Sequence, residues 1–233
     1  MSTNMHNKMI REAAKEILAP YGIFQKGQSR IWIDDNNWFL TIIEFQPSAW
    51  SRGSYLNVGL FFLWQNQDFI SFDFSSDQVR VDHENGVQLY FDYENDEQFI
   101  EAAKFLAKKA LEKALYYRKF KHLDYAEEKI LPQHFQVEEW GLFHKMILCF
   151  LAQNMRAFDY LSSLLKVGNW DFIKRDNDEL LKNLTRLKDY GGSDKDKLDF
   201  IRNYICATIG ERRSYWRTKG MKKLPFGSQK NSP

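Results

Sequence analysis

Between residues 4 and 19 the apolar positions Met5, Met9, Ile10, Ala13, Ala14, Ile17 and Leu18 recur at three- and four-residue spacing, the pattern of an amphipathic helix. Pro20 and Gly22 end it. The period then shortens. Five runs, 29–34, 38–46, 54–65, 69–74 and 87–93, are rich in aromatic and β-branched residues and predict strands, with 79–82 as a short sixth. Polar tetrapeptides at 34–37 and 65–68 have hairpin length, so sequential antiparallel pairing is expected. In the last run Val87, Leu89, Phe91 and Tyr93 alternate with Gln88, Tyr90 and Asp92, which gives one packed and one wetter face. The 54–65 run turns apolar on both faces after Leu56, as an interior strand does.

Helical spacing returns after Tyr93. Phe99, Ala103, Leu106, Ala110, Ala114 and Tyr117 form one stripe over 96–120, a long helix to cover the sheet, with Asp96 as its expected N-cap and lysines toward Lys121 suiting its C-terminal end. Leu131-Pro132 breaks the chain, and helices are expected over 135–155, 158–167, 170–190 and 194–217, with turns at Gly168-Asn169 and Gly191-Gly192-Ser193. From Lys219 onward Gly, Lys, Pro, Ser and Asn mix without period, and disorder is expected. The predicted fold class is α+β: an N-terminal helix and an antiparallel sheet of about five strands covered by a long helix, over 1–130, then an α-helical bundle over 131–218 as a second domain or an extension, then a tail over 219–233.

Composition supports a folded chain. Of 233 residues 16% are aromatic, far more buriable surface than a disordered chain carries. The longest apolar runs, 58–64 and 146–152, fall well short of the roughly 20 residues a spanning helix needs, and the polar N-terminus is unlike a secretory signal. A cytoplasmic protein with no membrane partner is expected. Cys149 and Cys206 lie in apolar helical stretches without a second cysteine nearby, so both are expected as buried, reduced thiols.

Charge is unevenly spread, although the total is only +2. Residues 34–101 hold thirteen acidic groups against Arg52 and Arg80, a net of −11, while 1–33 carry +3 and 102–233 carry +10. An acidic face of this kind attracts basic proteins and repels phosphate backbones. The alternative is that the two blocks neutralise one another on folding.

Chemical motifs are scarce. No glycine-rich phosphate loop and no Gly-x-Ser-x-Gly elbow occurs, and no cofactor is implied. His134 and Glu138 have the helical spacing of a metal pair, but a surface pair is the plainer reading, and no metal site is assigned. Glu44, inside an apolar strand, and His83, in an acidic turn, are the residues an unrecognised enzyme would use. Arg212, Arg213, Arg217, Lys222 and Lys223, interleaved with Tyr215 and Trp216, have the composition of a nucleic-acid surface, and cations also suit a helix C-terminus.

Three stretches carry a resemblance: Tyr21-Gly22-Ile23-Phe24-Gln25-Lys26-Gly27-Gln28-Ser29-Arg30-Ile31-Trp32, then Ile43-Glu44-Phe45-Gln46-Pro47-Ser48, then Tyr55-Leu56-Asn57-Val58-Gly59. Over about residues 9–100 the chain resembles a bacterial domain family of unknown function. The resemblance implies a leading helix and a sheet, and supplies no catalytic residues. Physically, Gly22 stops the helix, Gly59 permits close backbone approach, and Pro47 ends a ladder. Gln46, Ser48 and Asn57 either belong to this framework or line a polar site beside Trp50 and Trp64.

The leading functional expectation is a non-catalytic protein-interaction module of the immunity or antitoxin kind. Its acidic sheet region, with Asp73, Asp77, Trp50, Trp64, Gln46 and Asn57, would engage a basic protein. Nucleic-acid binding through the basic C-terminal helix is the second class, and an enzyme of unrecognised type the third.

Overall fold

The computed structural model describes residues 3–48, 52–76, 78–82, 89–167, 171–187 and 190–219. It has an N-terminal helix, a five-stranded antiparallel sheet and several further helices, the α+β class expected. Helix α1 spans Thr3–Leu18, and strands follow as β1 (Phe24–Gln25), β2 (Ile31–Asp35), β3 (Phe39–Pro47), β4 (Ser54–Phe62) and β5 (Tyr90–Phe91). Among the described residues six longer helices follow: α2 (Asp96–Tyr117), α3 (Leu123–Ile130), α4 (Glu138–Leu151), α5 (Arg156–Val167), α6 (Asp171–Arg186) and α7 (Asp194–Lys219). The contacts group into two compact units, each discontinuous in sequence. A sheet unit comprises 1–61, 69–118 and 214–233, and a helical unit comprises 62–68 and 119–213.

In the sheet unit the strands lie in the order β1-β2-β3-β4-β5. The chain leaves α1 through a short 3-10 turn that Gly22 closes in the left-handed region, φ 77°, donating its N–H to the Ala19 carbonyl at 2.9 Å. Asn37, also left-handed at φ 72°, turns the hairpin between β2 and β3, where Asn36 N–H donates to the Phe39 carbonyl at 2.9 Å. The register pairs Ile31 with Glu44, Ile33 with Ile42 and Asp34 with Thr41. Paired residues share a face, so Trp32, Asp34, Thr41 and Ile43 point one way and Ile33, Ile42 and Glu44 the other. Pro47 is the last residue of its strand, as its missing N–H requires.

Helix α2 packs on α1 and on β3. Its contact face is Phe99, Ala102, Ala103, Leu106, Ala107, Ala110, Ala114 and Tyr117, mostly small side chains that let helices approach closely. Its N-cap is Asn95, not the expected Asp96: the Asn95 Oδ1 accepts the Gln98 N–H at 2.9 Å. At its far end Arg118 makes a two-point ion pair with Asp34, 2.9 Å from each guanidinium donor, and gives a third hydrogen bond of 2.6 Å to the Tyr21 carbonyl. Asp34 is 4% exposed, and Asn36 bridges it to Thr41 with bonds of 3.1 and 3.0 Å.

Two strand expectations change. Residues 69–74 form no strand and pair with β4 at the Leu60–Phe74 bridge, while the two-residue β1 takes a place in the sheet. The expected sixth strand reduces to the Asn57–Arg80 bridge with its neighbouring hydrogen bonds, Val58 N–H to the Val79 carbonyl at 2.8 Å and Val81 N–H to the Leu56 carbonyl at 2.9 Å. The outer side of β4 is thus closed piecewise, by 73–74, 79–81 and β5. Gly59 makes this possible, since a Cβ there would lie 2.9 Å from the Phe72 ring and 3.0 Å from the Phe74 carbonyl. The last expected strand, 87–93, contributes Tyr90–Phe91, and its residues 87–88 fall outside the described residues.

In the helical unit α4 packs on α5 and α3 on α4. Helix α4 carries the core, with Phe143, Met146, Ile147, Leu148, Cys149 and Phe150 all sealed from solvent. Helix α3 had no counterpart among the expected elements. Helix α6 is interrupted at Asn177, whose backbone is non-helical and whose side-chain amide donates to the Ile173 carbonyl at 3.1 Å, a local bond that competes with the helix ladder. The expected turn at 168–169 and the tail from 220 lie outside the described residues.

Candidate functional site

The sheet face opposite α2 divides along its length. At the Asp35 end the last turns of α7 lie on it: Trp216 meets the Phe61 ring edge-on at 5.6 Å, and Arg217 pairs with Asp35 at 2.7 Å. At the Glu44 end it is half-exposed and polar, and here the strands assemble one connected cluster. Asn57 on β4 donates from Nδ2 to Glu44 Oε2 at 2.9 Å and to Gln46 Oε1 at 2.8 Å, both on β3. Arg80, brought alongside by its bridge to Asn57, donates from Nη2 to the same Gln46 oxygen at 2.5 Å and from Nε to Asn57 Oδ1 at 3.4 Å. Its guanidinium lies 4.0 Å from the centre of the Tyr55 ring, and Tyr55 in turn lies 4.5 Å from Tyr90, whose hydroxyl donates to Asp92 at 3.1 Å.

Each part has a local cause. Glu44, Gln46, Tyr55 and Asn57 share this face through strand alternation and register. Close approach of β5 is permitted by Gly53, where a Cβ would run into the Tyr90 hydroxyl and lie 2.5 Å from the Phe91 carbonyl. The guanidinium is fixed by amide acceptors and an aromatic face, an arrangement that orders the side chain and keeps other donors available. Such a cluster offers fixed donors, acceptors and rings, which is recognition chemistry. Glu44 accepts from the Asn57 amide and is itself part of this cluster. His83, the other residue named for catalysis, lies outside the described residues.

Gln46 and Asn57 thus stand together as the sequence allowed, with Glu44 joined to them. Asn57 is 6% exposed, so it organises the cluster and Gln46 is its more accessible member. Asp73 is half-buried beside β4, where its backbone N–H donates to the Leu60 carbonyl and its carboxylate accepts from Ser71 at 2.6 Å. Trp50 and Asp77 lie outside the described residues. Trp64 belongs to the helical unit and is 1% exposed; it stacks on Phe62 at 4.4 Å and donates from Nε1 to His144 Nδ1 at 3.1 Å. A ring so buried has no face left for a partner, which corrects the expectation for Trp64. Arg80, Tyr55 and Tyr90 were not foreseen as a group; the one signal was that Arg80 is one of two cations in the acidic block.

Several carboxylates of that block pair within the fold with a cation from beyond residue 101. Asp34 pairs with Arg118, Asp35 with Arg217, Asp68 with Arg212, and Glu101 with Lys104. Asp92 and Glu94 remain exposed at the rim of the polar cluster.

The basic C-terminal segment is not one exposed surface. Arg212 is 7% exposed and spans Asn66, the Gln67 carbonyl and Asp68, a structural role in the helical unit. Arg217 is committed to Asp35, and Trp216, 1% exposed, has no ring face on which a base would stack. Arg213 is half-buried, and Lys222 and Lys223 lie outside the described residues.

The remaining candidates are placed plainly. Helix α4 starts at Glu138, so His134 precedes it and the two share no helix face. Among the described residues no three His, Cys, Asp or Glu side chains converge to hold a metal ion. Burial holds His144 neutral, with its pKa pushed down to about 3, and pushes the Cys149 thiol up to about 12, with Glu127 adding to the effect. A thiol held protonated is not a nucleophile. Cys206 is exposed, contrary to expectation. No described helix is long and apolar enough to cross a membrane. No family model matches the chain, and no curated protein or solved structure does.

Proposed function

We propose that the chain is a non-catalytic, cytoplasmic protein-interaction module, of the immunity or antitoxin kind, that engages a basic protein through the half-exposed end of its sheet. The observation that carries this reading is the ordered cluster of Glu44, Gln46, Tyr55, Arg80 and Tyr90, rimmed by Asp92 and Glu94. Paired tyrosines and a stacked arginine are the side chains that dominate binding energy at protein interfaces, and fixing them before contact lowers the entropy lost on docking. The carboxylates at the rim, with Asp73 beside β4 and Asp77 in the same acidic block, supply the long-range attraction for a basic surface.

The test is capture from the native host's lysate at about 0.05 M and about 0.3 M salt, with nuclease, comparing the wild-type chain with Asp92→Lys/Glu94→Lys, Asp73→Lys and Tyr55→Ala. One basic protein retained by the wild type at low salt, and bound at least about tenfold less by the charge-reversed and Tyr55→Ala chains, is the expected result. Equal capture by all four chains overturns the reading, and nuclease-sensitive recovery replaces it with nucleic-acid binding.

A further inference from the structure

The helical unit holds a cleft that the sheet-face reading does not use. It has a volume of about 490 Å³ and is lined by Glu127, Glu128, Leu131, Pro132, Asn154 and Arg156. Small-molecule sites commonly occupy about 300 to 1,000 Å³. Glu127 and Arg156, of opposite charge, both face this space, and they are not joined in an ion pair. Among the described residues neither has an ion-pair partner at all.

Each is held instead by neutral neighbours, Glu127 by the buried Cys149 thiol as well as by an amide. Asn154 donates from Nδ2 to Glu127 Oε1 at 2.8 Å. Arg156 donates from Nη2 to the Tyr160 hydroxyl at 3.2 Å, with its guanidinium 5.7 Å from the centre of that ring. A carboxylate has about four acceptor positions and a guanidinium five donors, so both keep most of their capacity while fixed in direction.

Their positions in the helices sharpen the point. Glu127 and Glu128 lie in the last turn of α3, where carbonyl oxygens already concentrate negative potential, and Arg156 is the first residue of α5, where N–H groups concentrate positive potential. Helix stability favours the reverse placement at each end. Lys129 relieves Glu128 at 2.6 Å, and Glu127 has no such relief among the described residues. The cleft therefore presents a negative wall and a positive wall, separated by Asn154, with Leu131 and Pro132 as an apolar side.

We propose that this cleft binds a small zwitterion of the amino-acid class, free or as a short peptide, with its carboxylate on Arg156, its ammonium on Glu127 and an apolar side chain against Leu131 and Pro132. A molecule carrying both charges answers both walls at once; an anion or a cation alone meets one attractive and one repulsive wall. The site lies wholly in the helical unit, and its test is independent of the sheet face.

Calorimetric titration and thermal shift of the full chain with L-leucine, leucyl-leucine, N-acetyl-leucine and leucine amide decide the matter. Leucine or leucyl-leucine binds and raises Tm, and the acetylated and amidated forms, each lacking one charge, bind at least about thirtyfold more weakly. Binding by leucine alone assigns a free amino acid, and binding by the dipeptide alone assigns a peptide. Arg156→Gln, at an exposed side chain, keeps the fold by circular dichroism and loses affinity by a similar factor, so the result does not depend on Glu127→Gln folding. Absence of binding by both leucine and leucyl-leucine at about 10 mM, equal binding of the blocked forms, or an unchanged affinity in Arg156→Gln overturns the proposal.

Discussion

The sheet unit buries a carboxylate in an ion pair, Asp34 with Arg118, whereas the core of the helical unit holds His144, bonded to Trp64, and the Cys149 thiol in their uncharged forms, and its buried guanidinium, Arg212, reaches an exposed carboxylate, Asp68. The difference follows from what each architecture offers. A strand pair and a helix end can bring a carboxylate, a guanidinium, an amide, a hydroxyl and a backbone carbonyl to one point, as at Asp34, Arg118, Asn36, Thr41 and Tyr21. A core built from packed helices has already spent its backbone donors and acceptors on its own ladders. Around His144 it supplies mainly rings, with Trp140 stacked at 5.4 Å and Phe62 edge-on at 4.9 Å. The first solution fails when one partner is removed, the second when a proton is added.

Removing a partner is the larger perturbation. Arg118→Ala leaves Asp34 charged and buried, and about 3 kcal/mol of stability is expected to go, the lower part of the range for broken buried pairs because the Arg118 side chain is 28% exposed. Replacing both members, Asp34→Leu with Arg118→Met, removes the stranded charge and recovers most of that loss. Urea unfolding, with hydrogen exchange of α1 and α2 amides to locate the effect, measures both. A loss under about 1 kcal/mol for Arg118→Ala would place the pair among solvent-screened surface pairs and abolish the contrast between the units.

That pair also marks the limit of what the sequence discloses. Helices with a sustained stripe were legible: α1 and α2 appear within about three residues of expectation, because one-sided burial forces their periodicity. Strand β1 was not, since Phe24–Gln25 is too short to have a period and exists through its pairing with Ile33 and Trp32. Residues 69–74 carry strand-like composition, but Phe72 is used to cover Gly59 and Phe74 makes a single bridge. The polar cluster was half legible. Asn57 and Gln46 stand out in strands, but Arg80 joins them only through a tertiary bridge, as Arg118 joins Asp34 and Arg156 shares a cleft with Glu127. Local pattern reports burial; it does not report which distant charge arrives.

Adding a proton tests the helical unit. The unfolded chain binds a proton at His144 near pH 6.5, while in the folded state burial delays protonation to about 3. Protons therefore favour the unfolded state between these values. The contribution is intact above pH 6.5 and is lost progressively as pH falls toward the folded value, amounting to about 2 kcal/mol by about pH 5. His144→Gln keeps an acceptor for the Trp64 indole and removes the titration. Its stability, lower than wild type at neutral pH, should fall less steeply between about pH 6.5 and pH 5. Parallel curves for the two chains would mean that His144 is reached by water before the unit unfolds.

The smallest expected effects lie at helix starts, which are capped unevenly along the chain. In the sheet unit α2 opens on Asn95, whose side chain accepts the Gln98 N–H, while Gln98 reaches back to the Glu94 N–H at 3.3 Å, so two exposed backbone donors are satisfied by side chains. In the helical unit α5 and α7 are capped by Asn154 and Ser193, but α4 opens on Val137, 44% exposed and making no capping bond, and α3 opens on His122 without one. Asn95→Ala should cost about 1 kcal/mol, and Val137→Ser should gain about 0.5 to 1 kcal/mol, because only the serine adds an acceptor where the helix has N–H groups to spare. Exchange protection in the first turns of α2 and α4 reads each change locally. If Val137→Ser gains nothing, the first turn of α4 is already satisfied by water, and what separates the units is how each treats the titratable groups it buries.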